Sequence, residues 1–197
     1  MKKLVFATGN PHKIKEVNEL LNGLFEVRGL RDIGCPEDLP ETSPTIEGNA
    51  LQKARYVFEN YGENCFSEDT GLEIEALDGE PGVFSARYAG DARSAEANMH
   101  LVLQKLESIE NRRARFRTVV ALILDGQEHT FEGIAPGLIR KERAGSGGFG
   151  YDPIFQPDGH DITFAEMDGP AKNAISHRGQ AVRRLIDFLK KTGHQAL

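Results

Sequence analysis

Four groups of polar residues have types and spacings that could carry out chemistry on an anionic substrate. The first is the segment Thr8 to Lys13, which joins a predicted strand to a predicted helix. Backbone N–H groups at a helix start, the positive end of the helix dipole and the Lys13 ammonium could together bind an anion. The segment matches neither standard phosphate fingerprint, Gly-x-x-x-x-Gly-Lys-Ser/Thr or Gly-x-Gly-x-x-Gly. A well-capped helix without a ligand explains it equally well.

Acidic residues from two separate segments form the second group. Glu41 lies in a proline-containing acidic loop, and Asp69 follows a predicted strand within Glu68-Asp69-Thr70-Gly71. Mg²⁺ prefers a few carboxylates, several waters and phosphate oxygens, so two acids suffice once a triphosphate is present. The alternative is structural, because an Asp before Thr-Gly is more often a turn residue whose side chain accepts hydrogen bonds from backbone N–H groups.

The third group is a glycine-rich segment, Ala144 to Asp152, in which four glycines surround Phe149. Glycines let a backbone approach a ligand closely, and the ring of Phe149 offers a flat face on which a base could stack. The alternative is a flexible loop in which Phe149 is buried as an anchor.

Cationic residues just before or inside the last predicted helix form the fourth group. Lys172, His177 and Arg178, with the Ser176 hydroxyl, could donate hydrogen bonds to the carbonyl oxygens of a base or to phosphate. Alternatively, Ser176 is the N-cap of the helix, and His177 and Arg178 are solvated residues of its first turn.

Hydrophobic periodicity and capping signals predict the elements that hold these residues. Residues 3–8 form a short strand, and Asn10-Pro11 starts a helix over residues 11–22 that stops at Gly23. A strand begins at residues 25–27, and residues 31–44 form a loop. Ser43-Pro44 starts a second helix that leaves Lys53 away from its apolar face. That face comprises Ile46, Ala50, Ala54, Val57 and Phe58.

The second half of the chain also mixes strand and helix patterns. Residues 64–67 are predicted as a strand and residues 95–106 as a helix. Residues 114–124 form a long strand, Asp125-Gly126 a hairpin turn, and residues 130–135 and 138–141 two further strand segments. A terminal helix carries one apolar face, made by Val182, Leu185, Ile186 and Leu189.

Composition is that of a globular protein. Of the 197 residues, 39% are hydrophobic and 27% are charged, and the formal net charge is −6. Length and patterning predict one domain over residues 1–197. Because a negative protein repels bulk nucleic acid, an anionic substrate requires a local cationic pocket.

Export signals and membrane segments are not predicted. The start, Met1 to Ala7, has too few apolar residues for a signal-peptide core. The longest apolar run, Val119 to Leu124, is far shorter than the ~20 residues of a membrane helix. Cys35 and Cys65 show no metal-ligand or disulfide pattern. We therefore expect a cytoplasmic protein with two reduced thiols.

Eight short segments, spread over nearly the whole chain, occur in an order typical of one enzyme family. They are Ala7-Thr8-Gly9-Asn10, Glu41-Thr42, Asn49-Ala50, Glu68-Asp69-Thr70-Gly71-Leu72, Pro81-Gly82, Ser85-Ala86-Arg87-Tyr88, Gly147-Gly148-Phe149-Gly150-Tyr151-Asp152 and Ser176-His177-Arg178. With these segments the chain resembles the inosine triphosphate pyrophosphatase family, which removes non-standard purine nucleoside triphosphates.

The resemblance implies a fold and an assembly. It implies an elongated α/β fold with a long mixed central sheet, in which two lobes share the sheet and flank an active-site cleft, and it implies a homodimer. The predicted helices and hairpin are compatible with this architecture, but periodicity alone does not distinguish it from other α/β folds.

The resemblance also implies residue roles. Phosphates would be held by Thr8, Gly9, Asn10, Pro11, His12 and Lys13, with Lys53 assisting. Glu41 and Asp69 would bind Mg²⁺, and Asp69 would also be the catalytic base. Further substrate contacts, chiefly to the base, would come from Thr70, Phe149, Gly150, Tyr151, Asp152, Lys172, His177 and Arg178.

Two positions depart from the family pattern. The family often has an acidic residue just before Asn49-Ala50, where this chain has Gly48. The acidic motif is Glu-Asp-Thr instead of Asp-Asp-Ser, which exchanges an acid and a hydroxyl for equivalents. The first departure concerns the surroundings of the metal, and the second should leave the mechanism intact.

The implied activity is hydrolysis of ITP, dITP, XTP and dXTP between the α- and β-phosphates, giving the monophosphate and pyrophosphate. Donors facing a 6-keto oxygen would disfavour adenosine. The expected partner is a purine nucleoside triphosphate, with no nucleic acid and no membrane. The alternatives are a nucleotide sensor without turnover, a related pyrophosphatase for modified pyrimidine nucleotides, and a nucleic-acid-binding module, which the charge disfavours.

Overall fold

Six strands form one sheet in the computed structural model, which describes residues 3–21, 25–36 and 38–192. They are β1 (Lys3–Phe6), β2 (Glu26–Arg28), β3 (Cys65–Ile74), β4 (Arg113–Leu124), β5 (Gln127–Ile139) and β6 (Phe155–Pro157). Their order is β2-β1-β3-β4-β5-β6. β1 pairs in parallel with β2 and β3, whereas β5 pairs antiparallel with β6. The predicted mixed α/β class is confirmed.

Helices follow or separate these strands. They are α1 (Pro11–Leu21), α2 (Ile46–Tyr61), α3 (Ala95–Lys105), α4 (Gly169–Ile175) and α5 (His177–Lys191). α2 begins after Thr45, whose side chain accepts a hydrogen bond from the Gly48 N–H, and α3 begins after Ser94, which caps Ala97 in the same way. The predicted start of α2 at Ser43-Pro44 is therefore slightly early.

The chain divides into two compact units, which are described separately. Unit 1 comprises Met1–Asp69, Thr118–Gly133 and Arg178–Leu197. Its hydrophobic core joins β1 and β3 to α1 and α5, with Phe6 and Phe66 stacked at 4.4 Å between ring centroids. The four apolar residues predicted for the terminal helix all belong to this core, which confirms that face.

Unit 2 comprises Thr70–Arg117 and Ile134–His177. Its core packs α3 against the neighbouring strands through Met99, Val102 and Leu106. A cluster of aromatic rings extends this core, with Phe116 in contact with Phe155 at 4.6 Å between ring centroids. Each unit thus has its own hydrophobic core.

Several predicted elements differ from the observed ones. β3 continues through Glu68 and Asp69 to Ile74, so these acids lie inside a strand and not in a turn after it. The two predicted segments after the hairpin form the single strand β5. The predicted end of the first helix at Gly23 lies outside the described residues. The Asp125-Gly126 turn is confirmed, because both residues have positive φ angles.

The buried face of α2 includes a charged residue that the hydrophobic pattern did not predict. Lys53 is 6% exposed and lies beside Ala50, Ala54 and Val57, whereas Phe58 is only half-buried. The prediction that Lys53 lies on another side is therefore wrong. The reason is electrostatic, since acidic residues compensate for burying its ammonium group.

Within the described residues, no helix has both the length and the apolar composition required to span a membrane. The two cysteines, Cys35 and Cys65, are both buried free thiols.

Candidate active site

The connection between β1 and α1 forms a capped helix start in unit 1. The side-chain oxygen of Asn10 accepts hydrogen bonds from the backbone N–H groups of His12 at 3.0 Å and Lys13 at 3.4 Å. The hydroxyl of Thr8 accepts one from the Asn10 N–H at 3.2 Å. The predicted N-cap is confirmed. Three residues of the segment are exposed: Gly9, Pro11 and His12.

Side chains of β3 alternate between two faces and carry two different acidic groups. Cys65 Sγ and Ser67 Oγ both donate hydrogen bonds to backbone carbonyls of α2. Asp69 follows in the same row, so it also faces α2. Glu68 belongs to the other row and points away from α2. Adjacent carboxylates of one strand therefore have separate environments.

A buried lysine joins two of the predicted acids. Lys53 Nζ lies 2.5 Å from Glu41 Oε1 and 3.5 Å from Asp69 Oδ1. Lys53 and Asp69 are both largely buried, whereas Glu41 is partly exposed. The structure therefore brings together three residues that the sequence analysis took from three separate segments.

Burial and charge act against each other in this cluster. Burial lowers the pKa of Lys53, but the carboxylates of Asp69 and Glu41 outweigh it and raise the pKa above 10.5. Burial raises the pKa of Asp69 above 3.8, and Glu41 adds to this, although Lys53, Lys13 and a hydrogen bond from Asn49 oppose it. Lys53 is therefore a stable cation, and Asp69 is a stronger base than an exposed aspartate.

Glu68 occupies a second buried charge cluster in unit 1. Arg178 donates to it through Nε at 2.7 Å and Nη2 at 2.9 Å, and Lys13 Nζ lies 3.0 Å from its Oε1. The third nitrogen of Arg178 donates to Glu16 at 2.5 Å. Burial raises the pKa of Glu68, but the charges of Arg178 and Lys13 outweigh it and hold the pKa well below its usual range.

In unit 2, the carboxylate of Asp152 organises the glycine-rich segment. Its Oδ2 accepts hydrogen bonds from Lys172 Nζ at 2.8 Å and from the Phe149 N–H at 2.8 Å. Lys172 Nζ also lies 5.0 Å from the centroid of the Phe149 ring, within cation–π range. Asp152 and Lys172 are buried, whereas Phe149 is half-buried. The alternative of Phe149 as a buried anchor is therefore not supported.

The glycines before Phe149 are required by contacts within the protein. A Cβ at Gly145 would lie 2.6 Å from the Ala165 carbonyl carbon, and one at Gly148 would lie 2.1 Å from Asp152 Oδ2. Gly150 differs, because it has a φ of +62° and a Cβ there would meet no atom within 4 Å. The close approach inferred from glycine content is thus mostly to protein atoms.

Tyr151 connects the glycine-rich segment to the Ser85-Ala86-Arg87-Tyr88 motif. Its buried hydroxyl donates to the Ser85 carbonyl at 2.6 Å, and burial raises its pKa. Ser85 Oγ accepts from the Leu72 N–H at 2.9 Å, and Asn98 donates to the carbonyl of Ala86 at 3.0 Å. These contacts show that Tyr151 has a structural role within unit 2, and its substrate role stays a prediction.

The remaining predicted residues are buried or half-buried. The His177 ring stacks on Phe116 with 4.6 Å between centroids, and His177 and Arg178 are 3% and 1% exposed. The alternative in which both are solvated is therefore wrong. Thr70 is a half-buried residue of β3.

The donor set of Glu41 and Asp69 fits a hard cation with few protein ligands. Across residues 3–21, 25–36 and 38–192, no group of three or more His, Cys, Asp or Glu side chains forms a metal site. The two carboxylates do converge on one cationic group, Lys53 Nζ. Mg²⁺ takes one or two protein carboxylates and completes its shell with waters and substrate phosphates. These residues therefore fit an ion that arrives with its substrate.

Two acidic residues of the buried charge cluster, Glu68 and Glu16, were not assigned roles in the sequence analysis. Glu68 was part of a motif, but its contacts with Lys13 and Arg178 are distant in sequence. Glu16 was not singled out, although it lies three residues after Lys13 on the same face of α1. That spacing is the one signal that could have suggested that Glu16 and Lys13 act together.

A sequence profile of the Ham1 family matches residues 4–188. The chain belongs to the Ham1 family. The match covers the predicted site residues from Thr8 to Arg178, and it confirms the resemblance seen in the motifs.

Relatives of this Ham1 chain include the dITP/XTP pyrophosphatase of Porphyromonas gingivalis, which is 56% identical over 190 residues and aligned over 96% of this chain and 98% of the relative. The dITP/XTP pyrophosphatase of Flavobacterium johnsoniae is 52% identical over 190 residues, covering 96% and 99%. A solved HAM1 protein from Coxiella burnetii has 38% identity and a TM-score of 0.90, covering 97% of this chain and 100% of that one. The fold of the Ham1 chain is that of its family.

Proposed function

We propose that this chain hydrolyses non-standard purine nucleoside triphosphates, namely ITP, dITP, XTP and dXTP. The products are the nucleoside monophosphate and pyrophosphate. The relatives named dITP/XTP pyrophosphatase support this activity. The observation that carries the chemistry is the contact of buried Lys53 with both Glu41 and Asp69.

Glu41 and Asp69 would hold Mg²⁺ in this proposal. When bound, the ion supplies positive charge to the phosphate oxygens and so favours the departure of pyrophosphate. Both carboxylates are hard oxygen donors, which supports the choice of Mg²⁺ over a softer metal.

Asp69 is the proposed general base. It orients a water molecule toward the α-phosphorus and takes its proton as the new P–O bond forms. The bond from the α-phosphorus to the bridging oxygen breaks, and pyrophosphate leaves. The position of the Asp69 carboxylate beside Lys53, in the cluster that also contains Glu41, supports this role, because it places the base next to the proposed ion.

Cationic groups of unit 1 would bind the phosphates. Lys13 and Lys53 supply full charges, and the capped start of α1 supplies the positive end of a helix dipole. Thr8, Gly9, Asn10, Pro11 and His12 complete this segment. The exposure of Gly9 and His12 supports their access to a ligand.

Residues of unit 2 would recognise the purine base. Phe149 is a half-buried aromatic residue that would stack on the base, and Lys172 is held beside it by Asp152. Donors such as Lys172 and His177 would hydrogen-bond the 6-keto oxygen of hypoxanthine or xanthine. A 6-amino group leaves such donors unpaired, which can discriminate by as much as ~10⁴-fold. Thr70, Gly150 and Tyr151 are the other proposed substrate residues of this unit.

The resemblance to the inosine triphosphate pyrophosphatase family supports two further proposals. We propose that the chain acts as a homodimer, and that it works in the cytoplasm, where the nucleotide pool is. Neither nucleic acid nor a membrane is a proposed partner.

Product analysis with ITP, XTP, dITP, ATP, GTP and dUTP tests the activity, with and without Mg²⁺. We expect monophosphate and pyrophosphate from ITP, dITP and XTP, and loss of turnover on chelation. Binding without turnover would indicate a nucleotide sensor. Preference for dUTP would indicate a pyrophosphatase of pyrimidine nucleotides.

Asp69→Asn tests the proposed base. We expect kcat to fall by about 10²- to 10⁴-fold, because the amide cannot accept the proton of the water. Asp158→Asn, which alters an exposed carboxylate paired with Arg113, is the control and should keep wild-type activity. Retention of most of kcat in Asp69→Asn would remove Asp69 from this role.

A further inference from the structure

The glycine-rich segment of unit 2 rests on a short turn formed by residues 163–166, which we call the support turn. This turn is a single turn of 3-10 helix, and the Thr163 N–H closes it by donating to Glu166 Oε2 at 2.8 Å. The Phe164 ring is fully buried and packs on Phe155 with 5.1 Å between ring centroids. The support turn is therefore fixed to the core of unit 2.

Two hydrogen bonds attach the glycine-rich segment to the support turn. The hydroxyl of buried Thr163 donates to the Ala144 carbonyl at 2.7 Å, and the Gly147 N–H donates to the Ala165 carbonyl at 3.0 Å. Both attachments in the segment precede Phe149 in the chain. The support turn therefore determines where the backbone that leads to Phe149 lies.

Close packing of the two backbones adds to these bonds. A Cβ at Gly145 would lie 2.6 Å from the Ala165 carbonyl carbon, and one at Gly147 would lie 2.9 Å from the Ala165 carbonyl oxygen. The two backbones are thus in direct contact, with no room for a side chain between them. Because closely packed atoms transmit small shifts, a displacement of the support turn displaces the segment as well.

The support turn also lies beside the lysine of the proposed base site. Lys172 Nζ is 5.0 Å from the centroid of the Phe149 ring and 5.8 Å from the centroid of the Phe164 ring. Both distances are within cation–π range. The ammonium group is thus close to one ring of the glycine-rich segment and to one ring of the support turn.

We infer that the support turn is a positioning element for the purine base, with Thr163 and Glu166 as its positioning residues. They act through the backbone of the glycine-rich segment, which places Phe149, and through Phe164, which lies beside Lys172. The inference rests on the proposed function for the identity of the ligand, the 6-keto base of hypoxanthine or xanthine. Displacing the stacking ring and the donor weakens base binding, whereas the proposed phosphate residues belong to unit 1 and are unaffected.

Thr163→Val tests the hydroxyl, because valine has nearly the same shape but cannot donate to the Ala144 carbonyl. Inosine monophosphate carries the base, and inorganic tripolyphosphate has none, so the two ligands separate base binding from phosphate binding. By calorimetry, inosine monophosphate should bind about 10-fold more weakly, as expected for the loss of one buried hydrogen bond, and tripolyphosphate should bind as in the wild type. The ratio of kcat/KM for ITP to that for ATP should fall about 3- to 10-fold, because only ITP uses the displaced donor.

Two further variants are the controls. Thr163→Ser keeps a hydroxyl that can donate to the Ala144 carbonyl, so it should restore the affinity for inosine monophosphate and the preference for ITP. Thr130→Val makes the same exchange at an exposed position of β5 and should change the affinity for neither ligand. Failure of Thr163→Ser to restore base binding would overturn the role of the hydroxyl.

Amide hydrogen exchange of the ligand-free protein tests the attachment without any nucleotide. Exchange over residues 144–149 should be faster in Thr163→Val than in the wild type and normal in Thr163→Ser, because the Gly147 N–H is hydrogen-bonded to the support turn. Unchanged exchange in Thr163→Val would overturn the inference, whatever the enzyme hydrolyses. The expected exchange in a protein whose wild type neither binds inosine monophosphate nor hydrolyses ITP would count against the proposed function alone.

Glu166→Ala replaces Thr163→Val if that variant does not fold, as judged by thermal unfolding. Glu166 is exposed, and alanine removes the acceptor of the Thr163 N–H, whereas Glu166→Gln keeps an acceptor oxygen. We expect weaker binding of inosine monophosphate in the alanine variant and recovery in the glutamine variant. Unchanged binding of inosine monophosphate in Glu166→Ala would overturn the inference. So would an equal loss of affinity for tripolyphosphate, which would indicate a general loss of structure.

Discussion

Three buried cations of the described residues, Lys53, Lys172 and Arg178, each have a carboxylate within contact. Lys53 faces two acids, and Lys172 contacts Asp152 at 2.8 Å. Removing an ion from water costs several kcal/mol, so a buried pair is retained only when its geometry is good. Loss of one partner leaves the other charge uncompensated. Substitutions at these residues therefore affect stability as well as chemistry.

Glu68→Gln should change how stability depends on pH. The pKa of Glu68 is held below its ordinary value of 4.5 in the folded protein, so the unfolded chain binds more protons in acid. This carboxylate therefore stabilises the wild type above the unfolded pKa, and the contribution is lost as the pH falls. At neutral pH the variant should be less stable by about 3 kcal/mol or more, because Arg178 stays buried.

The difference between wild type and Glu68→Gln should shrink below about pH 5. Urea unfolding at neutral and acidic pH measures it. Glu128→Gln, which breaks an exposed pair with Arg55, should cost no more than about 1 kcal/mol. A difference that stays constant or grows on acidification would contradict the assigned role of Glu68.

At the scale of elements, β3 and α2 together determine the acidic cluster. The alternation of β3 turns Asp69 toward α2, where Lys53 and Asn49 are buried, and it turns Glu68 away. The loop before α2 is tied to the helix because Asn49 Oδ1 accepts a hydrogen bond from the Ser43 N–H at 2.8 Å. Glu41 precedes this attachment, so the start of α2 affects its position.

Gly48→Ala should destabilise the protein although alanine favours helices. A Cβ at Gly48 would lie 1.9 Å from Ser43 Oγ and 2.7 Å from Ser43 Cβ, so the tied loop would have to move. We expect a loss of about 1–3 kcal/mol, which exceeds the gain of about 1 kcal/mol in helix propensity. An acidic residue at this position would meet the same obstacle.

Chemical denaturation of Gly48→Ala, Ser43→Gly and the double variant measures this effect. Ser43→Gly removes the two nearest obstructing atoms, so the double variant should recover part of the loss. Glu59→Ala, at an exposed position of α2, is the control and should stay within about 0.5 kcal/mol of wild type. Full additivity of the two substitutions would refute the steric explanation.

Local sequence patterns predicted the secondary-structure elements more accurately than they predicted the contacts between side chains. The Asn10 cap, the Asp125-Gly126 turn and the apolar face of α5 follow from residues close in sequence, and all three were confirmed. The burial of Lys53 could not be predicted, because it depends on acids that α2 meets only in the folded chain. The structural alternative for Asp69 was a turn, because Thr-Gly is a local turn signal, whereas pairing extends β3 beyond this residue.

The same limit applies to the candidate site. Residue types and the order of the motifs indicated which residues belong to the candidate site. They did not indicate which carboxylate each cation contacts. Lys13 and Lys53 differ in this respect only because β3 presents Glu68 and Asp69 on opposite faces. That difference requires the register of the strand, which the sequence did not specify.

At the scale of the whole molecule, the net charge of −6 and the pairing of the site cations together determine which anions the protein attracts. The cations of the candidate site are held against carboxylates: Lys13, Lys53, Lys172 and Arg178. A long polyanion meets a negative surface, whereas a small triphosphate needs only a few local charges. The charge distribution therefore favours nucleotides over nucleic acids.

Duplex DNA and single-stranded RNA should show no binding at physiological salt, because a protein that neutralises few phosphates gains little from counterion release. Fluorescence anisotropy with labelled oligonucleotides measures this, and displacement of a fluorescent nucleotide by tripolyphosphate is the positive control. Binding that weakens steeply with salt would show a nucleic-acid surface that the net charge does not indicate.

The network of Glu16, Glu68 and Arg178 restricts the evolutionary paths open to this sequence. The three positions are far apart along the chain, yet loss of Glu68 or of Arg178 leaves the other as a buried charge without its main partner. A single substitution is therefore harmful where a joint replacement by neutral residues of similar volume can be tolerated. Descendants of this chain that lose the arginine are expected to have changed both acids as well.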